Sequence, residues 1–254
     1  MLEIDAVTKR YGRAVVLDSV TSRVCEGEVA ALAGPNGAGK STLIHVITGL
    51  TRPTRGRALL DGVPVLAGRR RDVGFCPDDL PIPELLTGHE YLDLAEALHG
   101  TTLGRRHRRR LLDCLHLDAA ASRLIGTYSH GMKRKLQLLA AVARRPRLLV
   151  LDEPLRGLDP ESGALLRAVI RDFADQGGAV LLSTHDLASA QSIASRLLVL
   201  QRGKLLTDVD VDAIAGKGQS LETAFLEITG IGAAAARSSE RFLDAIARAD
   251  QWRC

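Results

Sequence analysis

Gly34-Pro35-Asn36-Gly37-Ala38-Gly39-Lys40-Ser41-Thr42 is the segment of this 254-residue chain whose residue types and spacing are best suited to chemistry. It matches the pattern Gly-x4-Gly-Lys-Ser/Thr. Its glycines let the backbone curl so that successive N–H groups point inward at phosphate oxygens, and a helix N-terminus behind them adds positive potential. Lys40 is placed to reach the β- and γ-phosphates of a nucleotide, and Ser41 to offer its hydroxyl to Mg²⁺. A second segment, Leu148-Leu149-Val150-Leu151-Asp152-Glu153, is a continuous apolar run ending in two acids. A run of this kind is a strand buried on both faces, and a carboxylate at its C-terminal end lies beside the phosphate loop in a parallel sheet. Asp152 is then a holder of Mg²⁺, usually through water, and Glu153 an acceptor for the proton of an attacking water.

The elements that must position these groups alternate between strand and helix. Residues 2–8 and 14–24 read as antiparallel strands, and Val29–Ala33 as a short buried strand running into the phosphate loop. A helix follows and is closed by Gly49; further strands lie at 57–60 and 73–76. Thr87-Gly88-His89-Glu90 has capping-box form, and the helix after it is expected to bury Tyr91, Leu94, Ala95 and Leu98. A second helix covers about 103–116. A third begins after Ser129, with Met132, Leu136, Leu139, Ala140 and Ala143 as its apolar face. Beyond the strand ending at Asp152 come a helix near 161–175, a strand at 178–183, a helix from about 186 and a hairpin-like pair around Gly203. The class is α/β, with an all-helical insertion at about 80–145.

Composition excludes several alternatives. Hydrophobic residues make up 46% of the chain and charged residues 25%, which is globular rather than disordered. No stretch of 18 apolar residues is present to span a membrane, and the first residues lack the apolar segment of a secretory signal. The four cysteines are scattered without a Cys-x-x-Cys pair, against a disulfide framework or a zinc site. The net charge is +4, and the basic runs Arg69–Arg71, Arg105–Arg110 and Arg144-Arg145 have few aromatic neighbours, since only 3% of the chain is aromatic. Specific nucleic-acid binding is therefore not expected. The runs are either solvated surface or a contact for anionic lipid or an acidic partner.

The order of these motifs resembles the ATP-binding cassette (ABC) ATPases over about residues 2–230. The resemblance implies a P-loop NTPase fold with a RecA-like core, an antiparallel β subdomain and an inserted helical subdomain. It also implies ATP and Mg²⁺ as ligands. Tyr11 looks like the aromatic that stacks on adenine, the alternative being an edge tyrosine. Val73-Gly74-Phe75-Cys76-Pro77-Asp78 looks like the loop that normally ends in Gln. Tyr128-Ser129-His130-Gly131-Met132 looks like the family signature. Gly157-Leu158-Asp159-Pro160 looks like the loop facing a partner subunit, and His185 like the switch histidine. The signature implies that Ser129, His130 and Gly131 serve a γ-phosphate held by a second cassette subunit, in a homo- or heterodimer.

Several positions depart from the pattern, among them Tyr128, which replaces the signature Leu. Asp78 replaces the usual Gln and is expected to sit near Mg²⁺ as a possible ligand. His130 replaces a signature glycine, and Arg156 stands where small or hydroxylated residues are common. The form Tyr-Ser-x-Gly-Met followed by Lys133-Arg134 is similar to the drug- and natural-product-export branch, as is Leu221–Gly230 to its closing helix. This implies an ATPase subunit at the cytoplasmic face of the membrane, driving a separate permease. The alternative is a soluble cassette ATPase acting on ribosomes or DNA, whose relatives carry paired cassettes or a long coiled coil that this sequence lacks. Residues 231–254 are expected to form an amphipathic tail through Phe242, Ile246 and Ala249.

Overall fold

A computed structural model describes residues 1–78, 81–100, 102–232, 237–239 and 241. Phe242, Ile246 and Ala249 of the expected tail lie outside the described residues. Two sheets organise the rest. The first is antiparallel and contains β1 (Leu2–Tyr11), β2 (Ala14–Val24), β4 (Arg55–Leu60) and β5 (Val63–Pro64) in the order β2-β1-β4-β5. The second contains β3 (Val29–Ala33), β6 (Val73–Cys76), β7 (Leu148–Asp152), β8 (Ala179–Ser183), β9 (Arg196–Gln201) and β10 (Lys204–Asp210). Its order is β10-β9-β3-β8-β7-β6, parallel except for the hairpin of β9 with β10.

Apart from Asp152 and Ser183 at their C-terminal ends, the central strands β3, β7 and β8 are apolar at every position because both faces are covered. All five residues of β3 are buried. Ala30 and Leu32 join a core between the two sheets with Leu43, Ile44 and Ile47 of α1 (Lys40–Ile47). Val29, Ala31 and Ala33 face the opposite core, where Leu166 and Ile170 of α5 (Pro160–Asp175) pack. This period-two division of one strand between two cores leaves it no freedom to slip in register. Register also places Asp152 directly beside Ser183 at the C-terminal edge of the sheet.

A third core is helical. It gathers Leu92 of α2 (Gly88–His99), Leu112 of α3 (Arg105–Cys114), Leu117, Ile125, and Leu136 and Leu139 of α4 (His130–Val142). The capping box forms as read: Glu90 N–H donates to Thr87 Oγ1, and Thr87 N–H donates to the Glu90 carboxylate. The face expected for α2 is corrected. Leu92 is buried, whereas Leu94 is 40% and Leu98 72% exposed. This helix meets the core along a narrow strip, so apolar residues one turn around remain outside. Helix α4 does the reverse and buries two faces, Leu136 and Leu139 to the helical core and Leu138 and Ala141 to the sheet. The basic runs are not uniformly solvated either. Arg108 pairs with Asp93 and Glu96 of α2, and Arg144 hydrogen-bonds the Val73 carbonyl and His99.

Candidate functional site

The loop between β3 and α1 is built by close approach. A Cβ at Gly34 would lie 2.3 Å from the Leu200 carbonyl oxygen, so no side chain fits there. Gly39 caps α1 with φ of 109°, a backbone that L side chains rarely adopt. No side chain caps this helix and its first turn holds no acid, which leaves its N–H groups and dipole available to an anion. Lys40 folds back over the loop, its Nζ donating to the Gly34 carbonyl at 2.6 Å and, more weakly, to that of Pro35 at 3.4 Å. Burial lowers its pKa, an effect opposed by the charges of Glu153 and Asp152. A lysine desolvated in this way gains from an added anion.

Across from the loop, the β7 edge presents its acids. Ser183 Oγ donates to Asp152 Oδ1 in a short hydrogen bond. Glu153 has φ of 48°, a left-handed backbone that costs a residue with a Cβ about 1–3 kcal/mol and persists only where its surroundings hold it. They do so on both sides. Its N–H donates to the Ser183 carbonyl and Oγ, each at 3.2 Å. Its carbonyl accepts from Arg134 Nη2 at 3.1 Å and from the Arg156 N–H at 3.2 Å. The carboxylate Oε2 lies 2.8 Å from His185 Nδ1. Lys40, Ser41, Asn36, Asp152, Glu153 and His185 line one cavity of about 620 Å³, together with His45, Pro77, Asp78 and Arg156.

Asp78 enters this cavity already paired. Its Oδ1 accepts from Arg134 Nη2 at 2.9 Å and its Oδ2 from Arg156 Nη1 at 2.7 Å. Both oxygens expected for metal thus carry a guanidinium partner. Arg134 is 2% exposed, one of the largest fully buried side chains, and it also donates to the Pro77 carbonyl. The sequence reading used Arg134 only as half of a basic pair, and it gave Ser183 no role. The only signal for Ser183 was its place at the end of the strand beside Asp152.

The remaining expected residues are not on the cavity wall. Ser129 is the N-cap of α4, its Oγ accepting from the Met132 N–H at 3.2 Å, and no acid stands in that helix's first turn. Gly131 packs against α5, where a Cβ would meet Ser162 Oγ at 3.0 Å and Asp159 Oδ2 at 3.3 Å. Asp159 itself caps α5 by accepting from the Ser162 N–H at 2.9 Å. Tyr11, at the end of β1, is 51% exposed, with Lys9 Nζ 4.8 Å from its ring centroid. Pro35, Gly37, Ala38 and Thr42 complete the loop and the first turn after it.

The ABC transporter sequence profile matches residues 17–156, more than half of the chain. The chain belongs to the ABC transporter family. Among relatives of this ABC chain, the doxorubicin resistance ATP-binding protein DrrA of Mycobacterium tuberculosis is 34% identical over 212 residues. That match covers 81% of this chain and 64% of the relative, so the chain spans just under two thirds of its length. A solved ATP-binding subunit of an ABC transporter superposes with a TM-score of 0.83 at 34% identity, covering 90% of this chain and 99% of that one. The dimeric post-hydrolysis structure of the ATP-binding cassette MJ0796, bound to ADP and Pi, superposes with a TM-score of 0.74 at 26% identity, covering 83% and 99%. The fold is that of an ABC ATPase. Within it, three of the departures from the family pattern touch one another: Arg156 bonds Asp78 through its side chain and His130 Nε2 through its carbonyl, at 3.2 Å.

Proposed function

We propose that this chain is the ATP-hydrolysing subunit of an ABC transporter, working as a dimer of cassettes and powering export through a separate permease. The observation that carries the hydrolytic part is the Glu153–His185 pair, 2.8 Å apart on the wall shared with Lys40, Ser41 and Asp152. Lys40 exchanges the Gly34 carbonyl for the phosphate chain, and the loop and α1 N–H groups cradle the rest. Glu153, held by its backbone bonds and by His185, accepts the proton of the attacking water. Ser41 and Asp152 fit a Mg²⁺ site: they offer hard oxygen donors on one cavity, and this ion is held by one or two carboxylates with substrate phosphates rather than by a protein cage. When bound there, Mg²⁺ neutralises charge developing on the phosphates.

The acid-free start of α4, capped by Ser129 and followed by Gly131, lies off this cavity, which supports a role toward a nucleotide held by a second subunit. Tyr11, exposed at the end of β1, is available to stack on adenine. No helix among the described residues is long and apolar enough to cross a membrane. A separate permease and attachment at the cytoplasmic membrane face are therefore part of the proposal, and likeness to a drug-resistance ATP-binding protein favours export. The test is phosphate release from Mg-ATP by the purified chain and by Lys40→Ala. Turnover that is lost in the variant, together with weakened ATP binding, is the expected result. Near-parental turnover in the variant would overturn the phosphate-loop assignment.

A further inference from the structure

We propose that Asp78, Arg134 and Arg156 form a charge latch that positions Glu153, with Asp78 serving as its anchor rather than as a metal ligand. The latch joins three segments remote in sequence: the end of the strand β6, the start of α4 and the loop after β7. Asp78 sits between two guanidinium groups, one on each carboxylate oxygen. Arg134 is buried, and a buried cation needs a counter-charge with its donors satisfied. Its two Nη groups meet that need with Asp78 and with the carbonyls of Pro77 and Glu153, while its buried Nε has no hydrogen-bond partner among the described residues. The bond to the Glu153 carbonyl is one of those that hold this residue's left-handed backbone, so the latch acts on the position of its carboxylate through the main chain.

Helix geometry makes this a two-point clamp. His130 and Arg134 are four apart and share one face of α4. His130 reaches the Arg156 carbonyl and Arg134 the Glu153 carbonyl, so one helical turn grips both ends of residues 153–156. The departures at 78, 130 and 156 are therefore parts of one device. A guanidinium at 156 requires a carboxylate at 78, because an amide there would leave two cations facing each other. Once Arg156 is gone, an amide at 78 faces only Arg134, so the repulsion between the two cations is relieved although Arg134 still lacks its carboxylate.

The catalytic half of this inference rests on the hydrolytic reading above; the structural half does not. The test compares Asp78→Gln, Arg156→Ser and the double variant in the full chain. It measures kcat and KM for ATP, and hydrogen exchange at residues 130–136 without nucleotide. Asp78→Gln is expected to lower kcat by about tenfold or more through misplacement of Glu153, with KM changed little, and to speed exchange at the start of α4. Adding Arg156→Ser, which removes one of the two facing cations but leaves Arg134 without its carboxylate, is expected to recover part of both losses. If Asp78→Gln does not fold, recovery of folding in the double variant is the same result. A double variant no better than Asp78→Gln overturns the latch. So does an Asp78→Gln protein whose exchange is unchanged while only its Mg²⁺ half-saturation moves, the behaviour of a metal ligand. If the parent chain releases no phosphate, the hydrolytic reading fails, and the exchange data still decide whether the latch exists.

Discussion

Replacing Arg134 with methionine removes the largest buried polar side chain of the site while keeping much of its volume. The guanidinium makes an ion pair with Asp78 at 2.9 Å, and donates to the Pro77 carbonyl and, at 3.1 Å, to that of Glu153. Breaking a buried pair by removing one partner costs about 3–5 kcal/mol, since the other charge stays behind. Here Arg156 still pairs with Asp78, which reduces the penalty, while the part-buried Pro77 carbonyl loses a donor and that of Glu153 keeps only the Arg156 N–H, which restores part of it at about 1–3 kcal/mol. A net loss of about 3–5 kcal/mol follows. For a chain of this size each kcal/mol shifts the melting temperature by about 2–4 °C, so Arg134→Met should melt roughly 6–20 °C lower. The control is Lys133→Met, one residue earlier, whose ammonium pairs with a Glu84 side chain that is 61% exposed. A surface pair contributes about 0–1 kcal/mol, so this variant should melt within a few degrees of the parent. Thermal unfolding by circular dichroism measures both. Equal melting temperatures for the two variants would refute the argument that Arg134 holds the three segments together.

Tyr11→Ala should weaken ATP binding by about tenfold to a hundredfold, the worth of one base–aromatic stack, while leaving thermal stability unchanged because the ring is half exposed; equal ATP affinity by titration calorimetry would remove Tyr11 from the site. His99 supplies a pH test. Burial, then the charges of Arg144 and Arg71, hold its pKa below the ordinary value, and its Nδ1 faces Arg144 Nη1 at 2.7 Å. The unfolded chain therefore takes up this proton more readily than the folded one, and stability falls as pH drops through about 6.5. Urea unfolding at pH 7.5 and 5.5 should show a smaller loss for His99→Gln than for the parent; an identical loss would contradict it.

The main strands and the phosphate loop were legible in the sequence because they rest on local signals. The apolar run ending at Asp152, the glycines of 34–39 and the Thr87–Glu90 box each declare themselves within a few residues. The latch did not, because Asp78, Arg134 and Arg156 meet only after β6, α4 and β7 are assembled. Arg134 beside Lys133 reads as one of two surface cations, and nothing local distinguishes the residue that is 2% exposed. The burial of α2 was misjudged for a related reason. Tyr91, Leu94 and Leu98 have helical spacing, but the width of the strip that is covered depends on how α4 crosses, not on α2. The depth of Ser183 was visible in the apolar strand it ends, whereas its bond to Asp152 depends on the pairing of β7 with β8.

The central claim is that Glu153 is the base of an ATP site closed by a second subunit. Glu153→Gln tests it most directly, by size-exclusion chromatography in Mg-ATP and in Mg-ADP. Loss of the base slows hydrolysis by about 10²- to 10⁴-fold, while Lys40 and the loop still hold the triphosphate. In the proposed dimer, Ser129 and Gly131 of one copy would then remain engaged on the nucleotide of the other. The expected result is a dimer in ATP and a monomer in ADP. A monomer in both would contradict it.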